Sequence, residues 1–315
     1  MSPAPSDGTA RAVLHDRYGG PEVLVVTDVP QVHPGPGEVR VRVRAAGINP
    51  FDSKVRSGRP PYTSDDPFPR GVGQDFAGVA DEVSRGARYP DGSSVAVGDE
   101  VIGFADRCCV REQLVVPDTQ VVRKPPGLSW AVAGALPTPG RTALTCLDLL
   151  KIGPEDTLLV GAAAGGVGVL LGQLARSRGA TVVGTASPGN HAFLLGLGIL
   201  PLSYGDGLAN RVREAGVRLT AAVDCHGRGV VDTALALGLS PDRVVTIVRH
   251  DVTAELGLAS PGMRPRTAAE LAEVAGLVVR EELTIPVQAF GLDRAAEAFT
   301  LLDGGHVRGK LVVEP

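Results

Sequence analysis

Between Pro154 and Val248 the sequence alternates short apolar runs with amphipathic segments: TLLVGA, GVLLGQLARSRG, TVVGTA, HAFLLGLG, LPLSYG, ANRVREAG, AAVDCHG, VVDTALALG and DRVVTIV. Strand-length runs of Val, Leu, Ile and Ala without polar alternation suit strands buried on both faces. Helical segments between such runs predict a parallel sheet covered by helices on both sides.

The first strand-to-helix turn of a sheet of this kind faces the crevice where dinucleotides bind. Here it lies in TLLVGAAAGGVGVLLGQLA, Thr157 to Ala175. Gly165 and Gly166 permit a tight turn and close backbone approach, and Gly168 lets the helix pack near the strand. Free N–H groups at the helix start, around Ala164 to Val167, then face a pyrophosphate. The stretch fails G-x-G-x-x-G, because Leu171 stands where the last glycine belongs, and satisfies A-x-x-G-x-x-G from Ala162 to Gly168. A plain structural turn would also use these glycines; their place at the start of the βαβ series favours the dinucleotide. No Lys-Ser or Lys-Thr follows them, which excludes a nucleoside triphosphate loop.

The end of the second strand selects the nicotinamide. An acidic residue there would bind the ribose hydroxyl of NAD and repel the phosphate of NADP. TVVGTASPGNHAF instead ends in Thr185, Ala186 and Ser187, with no acidic residue before Asp206. Ser187, Asn190 and His191 are placed to bind a phosphate, so NADPH is the expected cofactor. His191 also suits a surface helix position.

From Arg11 to Arg123 the pattern differs. EVLVVTDV, GEVRVRVRAAGI, GQDFAGVADEV, GDEVIGF and VREQLVV are short runs separated by turns such as PGPGE. They predict an antiparallel barrel or sandwich. SWAVAGALPTPGRTALTCLDLL reads as helix broken by Pro137 and Pro139. The last stretch, EELTIPVQAFGLDRAAEAFTLLDGGHVRGKLVVEP, returns to strand, helix, strand and is expected to rejoin the first domain.

Composition narrows the partners. A net charge of −4 without a basic block gives no attraction to nucleic acid or anionic membrane. The amino-terminal segment has no apolar core of a signal peptide, and no stretch is apolar enough to span a bilayer. A small-molecule substrate and a cytoplasmic location are the expectation. Cys108, Cys109, Cys146 and Cys225 form no C-x-x-C pair, so no zinc site is expected and reduced thiols are.

Taken together, YGGPEVLVVTDVPQVHPGPGEVRVRVRAAGINPFDSKVRSG, GQDFAGVADEV, VGDEVIGF, ALPTPGRTAL, GAAAGGVGVLLGQLA, GTASPGNHAFL and GGHVRGKLVV resemble the zinc-independent, zeta-crystallin-like quinone oxidoreductases of the medium-chain dehydrogenase/reductase superfamily. The resemblance spans nearly the whole chain. It implies an α/β protein with a GroES-like β-barrel domain, residues 1–128 and 286–315, and a Rossmann NADPH-binding domain, residues 129–285. It also implies a homodimer.

Where the zinc-dependent alcohol dehydrogenases carry a Cys ligand this chain has Asn49, and in place of Gly-His-Glu it has Gly73-Gln74-Asp75. These are poor zinc ligands. Without a Lewis acid, oxidation of simple alcohols gives way to reduction of a quinone or an α,β-unsaturated carbonyl. By position Asn49 resembles the family's active-site Asn; it equally suits a turn before Pro50. Tyr62 lies near the segment where relatives keep an active-site Tyr, or is a loop aromatic. Asp52 and Lys54 are expected to be solvated or mutually paired. The resemblance places Thr142 and Lys310 near the nicotinamide and Tyr204 near the adenosine phosphate, while Tyr204 also suits a rim position. Val248, after the last strand of the series, is expected to line the nicotinamide crevice, and Cys225 to be a packed small residue. The loop from Ser57 to Pro69 and the segment ELGLASPGMRPRTAAE are expected to shape the acceptor pocket. An NADPH-binding protein without turnover and a pathway enzyme, either an enoyl reductase or a non-redox cyclase, are the competing functions.

Overall fold

Val39, Val41 and Val43 are buried while Arg42 and Arg44 are exposed, as the period of two demands of a strand with one face in a core. The computed structural model describes residues 8–227, 229–259, 261 and 267–315. It divides into one unit made of Met1–Thr138, Arg266–Glu282 and Pro286–Pro315, and a second made of Pro139–Pro265 and Leu283–Ile285.

The first unit opens with strands β1 (Thr9–His15), β2 (Val25–Pro30) and β3 (Glu38–Ile48), helix α1 (Pro50–Arg56), then β4 (Arg70–Gly71), β5 (Asp75–Val83), β6 (Glu100–Phe104), β7 (Gln113–Pro117), β8 (Val121–Arg123) and helix α2 (Trp130–Ala135). β2, β1 and β4 form a small antiparallel sheet. The larger sheet is built around β3, which pairs antiparallel with β5 and β7. Val39, Val41, Phe76, Val101, Leu114 and Val121 pack together as its core. α2 crosses β3 so closely that only glycine fits the contact. A Cβ on Gly134 would lie 2.6 Å from the Ala45 carbonyl oxygen, and one on Gly47 would run into the Gly134 carbonyl.

The helix break expected at Pro137 and Pro139 falls at Leu136. α2 stops at Ala135 and α3 (Pro137–Leu149) begins at once, with both prolines in its first turn, where a missing N–H costs nothing.

In the second unit the chain then runs β9 (Thr157–Val160), α4 (Gly166–Ser177), β10 (Thr181–Ala186), α5 (His191–Gly196), β11 (Leu200–Ser203), α6 (Leu208–Glu214), β12 (Ala221–Asp224), α7 (Val230–Ala236), β13 (Val244–Thr246) and α8 (His250–Leu256). All five strands are parallel, in the order β11-β10-β9-β12-β13. This is the strand and helix alternation read from the sequence. β9 lies between β10 and β12, so the strand order reverses beside the first strand of the series.

The chain ends in the first unit with α9 (Ala268–Val279), β14 (Val287–Gly291), α10 (Ala295–Asp303) and β15 (Lys310–Glu314). β15 pairs antiparallel with β3 and parallel with β14, so the carboxy-terminal segment rejoins the large sheet as expected.

α1 begins with a cap that the first-unit core encloses. Asn49 is its N-cap, Pro50 occupies the first helical position, and the Asn49 N–H donates to Asp52 Oδ2 at 2.8 Å. Asp52 is only 2% exposed and its Oδ1 has no partner, so it is neither solvated nor paired with Lys54. Burial pushes its carboxyl up to about 7, against the opposing pull of the Asn49 N–H. A carboxyl raised on folding costs stability as pH climbs from the unfolded value near 4 through about 7, and the cost is complete above that. Asp52→Asn should therefore gain on the wild type by on the order of 3 kcal/mol between acid and mildly alkaline solution. Thermal denaturation of both proteins at about pH 5 and about pH 8 measures this; a difference that does not change with pH contradicts it.

Candidate active site

The glycine turn is held from below. Ala162 adopts φ of +50°, a left-handed conformation that costs an L residue on the order of 1 kcal/mol. Thr185, 2% exposed at the end of β10, fixes it: the Ala162 N–H donates to Thr185 Oγ1 at 3.1 Å and the Ala163 N–H to the Thr185 carbonyl at 2.9 Å. The Gly165 N–H closes the turn on the Ala162 carbonyl at 2.9 Å.

The two outer glycines of the motif serve different needs. A Cβ on Gly168 would collide with the Ala162 carbonyl and sit 2.7 Å from Ala163 Cα, so Gly168 is required by helix-to-strand packing. Gly165 has φ of −83° and ψ of 175°, open to any residue, and an added Cβ would meet only the Ala162 carbonyl oxygen at 3.3 Å. The protein itself makes little demand for glycine there. Gly165, Gly166 and Val167 are partly exposed over a buried Ala164, and α4 starts at Gly166 without a side-chain cap. Its first-turn N–H groups remain for an anion.

At the same edge, Asn190 Nδ2 donates to Ser187 Oγ at 3.2 Å, and a His191 ring nitrogen lies 3.4 Å from the Ala186 carbonyl. The structure thus brings Ser187, Asn190 and His191 together. Ala186 is in register with Ser203, so the turn carrying Tyr204 begins beside them. Tyr204, residues 205–210 and Asp232 line a cleft of about 670 Å³. Arg211 braces this turn by donating to the carbonyls of Ser203, Gly205 and Asp206, each at 2.9 Å.

Beyond β12 and β13 a second brace appears. The fully buried Asp224 accepts from the N–H groups of His226 and Gly227 and, at 2.8 Å, from Thr246 Oγ1. The Thr246 oxygen in turn accepts from the N–H groups of Val248 at 3.3 Å and Arg249 at 2.9 Å. The Val248 N–H is thereby spent inside the loop. Thr142 sits half-buried on α3. Burial pushes the Cys225 thiol well up, which keeps it protonated and unreactive.

In the first unit Asn49 and Lys310 meet. Lys310 Nζ, on a side chain 6% exposed, donates to Asn49 Oδ1 and to the Ile48 carbonyl, both at 2.7 Å, and lies 3.5 Å from Asp75 Oδ2. Asn49 Nδ2 donates to the same Asp75 oxygen at 2.9 Å. Asp75 Oδ1 accepts from the N–H and hydroxyl of Thr138, at 2.9 and 2.6 Å. Burial draws the Lys310 ammonium below its ordinary range, and the Asp75 and Asp52 carboxyls oppose it. Tyr62 stands apart from this cluster, half-buried, edge-on to Phe51 with ring centres 5.6 Å apart and with Lys54 Nζ 5.2 Å from its own. Cys108 and Cys109 are free thiols; the neighbouring Cys109 thiol holds Cys108 below the usual thiol range, while burial raises Cys109 well above it. Residues 260 and 262–266, inside the segment expected to shape the acceptor pocket, lie outside the described residues.

The sequence marks Asp75 only as a poor zinc ligand and Thr185 only as part of a strand end, and it carries no sign of the parts played by Thr138, Asp224 and Thr246. A hydroxyl or carboxylate that braces a turn through backbone groups has no sequence pattern beyond its place at a strand end.

A parallel βα unit with a bared glycine turn and a mainly antiparallel unit with a buried polar cluster are the two parts of a dehydrogenase-type fold. Residues 35–126 match the alcohol dehydrogenase GroES-like domain, and residues 211–313 match the zinc-binding dehydrogenase family. A quinone oxidoreductase of Pseudomonas aeruginosa is 30% identical over 333 aligned positions, covering 97% of this chain and 100% of that protein. The solved quinone oxidoreductase of Coxiella burnetii superposes with a TM-score of 0.86 at 30% identity, covering 98% of this chain and 100% of that one. A mycobacterial protein solved in complex with NADPH gives 0.82 at 27% identity, covering 97% and 100%. A phenolphthiocerol synthesis polyketide synthase of Mycobacterium marinum is 32% identical over 98% of this chain, which spans only 15% of that synthase. The chain belongs to the medium-chain dehydrogenase/reductase superfamily, in its quinone oxidoreductase branch, and is an oxidoreductase.

The zinc in the name of one matching family finds no fit. Among the described residues no group of three or more His, Cys, Asp or Glu side chains is placed to hold a metal ion. At the positions compared with zinc ligands stand Asn49, Gln74 and Asp75, and the cation beside them is the Lys310 ammonium. A dinucleotide does fit, in the cradle that a Cβ on Gly165 would enter. Also among the described residues, no helix is long and apolar enough to cross a membrane.

Gly165→Val should weaken binding of the reduced dinucleotide at least about tenfold, or about 1.4 kcal/mol, and leave the melting temperature nearly unchanged. Gly168→Ala should lower the melting temperature instead. Nicotinamide fluorescence titration beside thermal denaturation reads both; undiminished affinity in Gly165→Val contradicts the cradle.

Proposed function

We propose that this chain is a zinc-independent, NADPH-dependent reductase that passes hydride to a quinone or an α,β-unsaturated carbonyl. The carrying observation is the Gly165 cradle above the open first turn of α4, a site whose smallness the fold does not need and a pyrophosphate does. The choice of NADPH rests on the turn after β10, where Ser187, Asn190 and His191 cluster and the sequence carries no acidic residue before Asp206. The mycobacterial neighbour solved with NADPH supports it.

When bound, the cofactor supplies hydride. The chain's own residues bind and orient it through the N–H groups of Gly166 and Val167, with Ser187, Asn190, His191 and Tyr204 on the adenosine side and Thr142 and Val248 on the nicotinamide side. Hydride addition to the β-carbon of an enone forms a C–H bond and moves the π electron pair to the carbonyl oxygen. Asn49 is the donor we assign to that oxygen, since one Nδ2 hydrogen binds Asp75 and one is unspent. Water delivers the proton that completes the saturated carbonyl or the hydroquinone. Tyr62 borders the acceptor.

The polyketide synthase match, over 98% of this chain, favours a second reading in which the acceptor is an enoyl thioester. The chemistry is the same and the acceptor differs.

Purified protein given NADPH or NADH with a panel of quinones, enones and enoyl thioesters, followed by nicotinamide absorbance, tests the assignment. NADPH should be oxidised at least about tenfold faster than NADH, a preference of about 1.4 kcal/mol. Equal or faster use of NADH contradicts the NADPH assignment, and no oxidation with any acceptor contradicts the reductase.

A further inference from the structure

We propose that Lys310 and Asp75 are positioning residues that lock the side-chain amide of Asn49 in one of its two orientations, and that Lys310 acts through Asn49 rather than on the cofactor. This rests on the reductase reading above.

An Asn amide turned over by 180° exchanges an acceptor for a donor at nearly the same place, so its orientation is decided by its neighbours. Both neighbours here decide it the same way. The Lys310 ammonium can only donate, and it stands 2.7 Å from Oδ1. The Asp75 carboxylate accepts, and its Oδ2 stands 2.9 Å from Nδ2. Turning the amide over would set N–H against ammonium and oxygen against carboxylate inside a core where Asp75 has no exposed surface and Asn49 is 5% exposed. Neither repulsion would be screened by water.

The remaining partners make the clamp rigid. Thr138 fills the other Asp75 oxygen through both its N–H and its hydroxyl. The Asn49 backbone N–H is taken by Asp52. Lys310 has three hydrogens and three acceptors around it: the Ile48 carbonyl, Asn49 Oδ1 and, more loosely at 3.5 Å, Asp75 Oδ2. No donor is left over for a phosphate or a carboxamide. Asn49 Nδ2 keeps one hydrogen beyond the one given to Asp75, and the clamp fixes which atom of the amide carries it.

Lys310→Met alone would strand a buried carboxylate, so the decisive variant is the double Lys310→Met/Asp75→Asn, which removes both charges. Its Kd for NADPH should stay within twofold of wild type, while kcat/KM for the acceptor falls at least tenfold. A Kd that rises in step with the loss would place Lys310 on the cofactor and overturn the proposal, as would an unchanged kcat/KM. A second readout is independent of turnover: hydrogen exchange at the Asn49 side-chain amide, followed by ¹⁵N-resolved NMR. The wild type should protect one Nδ2 hydrogen strongly and the double variant should not; equal protection overturns the proposal. Should the wild type oxidise NADPH with no acceptor, the reductase reading fails, and the exchange measurement still decides whether the clamp exists.

Discussion

The first unit is organised around one carboxylate that water never reaches. Asp75 starts β5, and the residues that satisfy it come from distant parts of the chain: Asn49 after β3, Thr138 in the first turn of α3 and Lys310 at the start of β15. A buried ion pair of this kind adds little net stability, because desolvation of both charges offsets their attraction. Loss of one partner is another matter, since an uncompensated buried charge costs about 3–5 kcal/mol. The arrangement therefore selects one geometry at the end of β3 more than it stabilises the fold. A lysine ammonium in this place gives the carboxylate its counter-charge, 3.5 Å from Asp75 Oδ2.

The second unit solves a different problem with the same economy of groups. A turn that must present bare N–H groups to a ligand cannot use those groups to hold itself together. Here the holding is done from behind, by Thr185 on the Ala162 and Ala163 N–H groups and by the packing of Gly168. The left-handed Ala162 carries a strain of on the order of 1 kcal/mol, a small sum beside the two hydrogen bonds that oppose it. Asp224 and Thr246 repeat the device beyond β12 and β13, ordering both loops through backbone N–H groups.

Much of this was legible in the sequence, for reasons that differ by element. Strand and helix alternation in the second unit follows from hydrophobic period alone, and each apolar run from TLLVGA to DRVVTIV became a parallel strand. The last stretch was readable as strand, helix, strand, whereas its return to the first unit is what the family resemblance implies, and β15 pairs with β3. The glycine turn was readable as a pattern, but its glycines could not be sorted by role until their neighbours were known. Charged residues were the least legible. Asp52 lies in NPFDSK, a stretch that reads as solvated, and it is buried because α1 turns its first-turn carboxylate inward onto its own cap. Lys310 is apolar-flanked in KLVVE, yet its acceptors lie more than 200 residues earlier, and no local pattern announces them.

The central claim is a direct hydride transfer from a bound dihydronicotinamide. Its most direct test uses NADPH deuterated at C4 on one face and then on the other, with whichever quinone or enone is turned over, and mass spectrometry of the NADP⁺ formed. Transfer within one fixed site predicts that one epimer yields NADP⁺ free of deuterium and the other yields NADP⁺ that retains it fully. Partial retention from both epimers would contradict a single fixed site and, with it, the account of how this fold positions its cofactor.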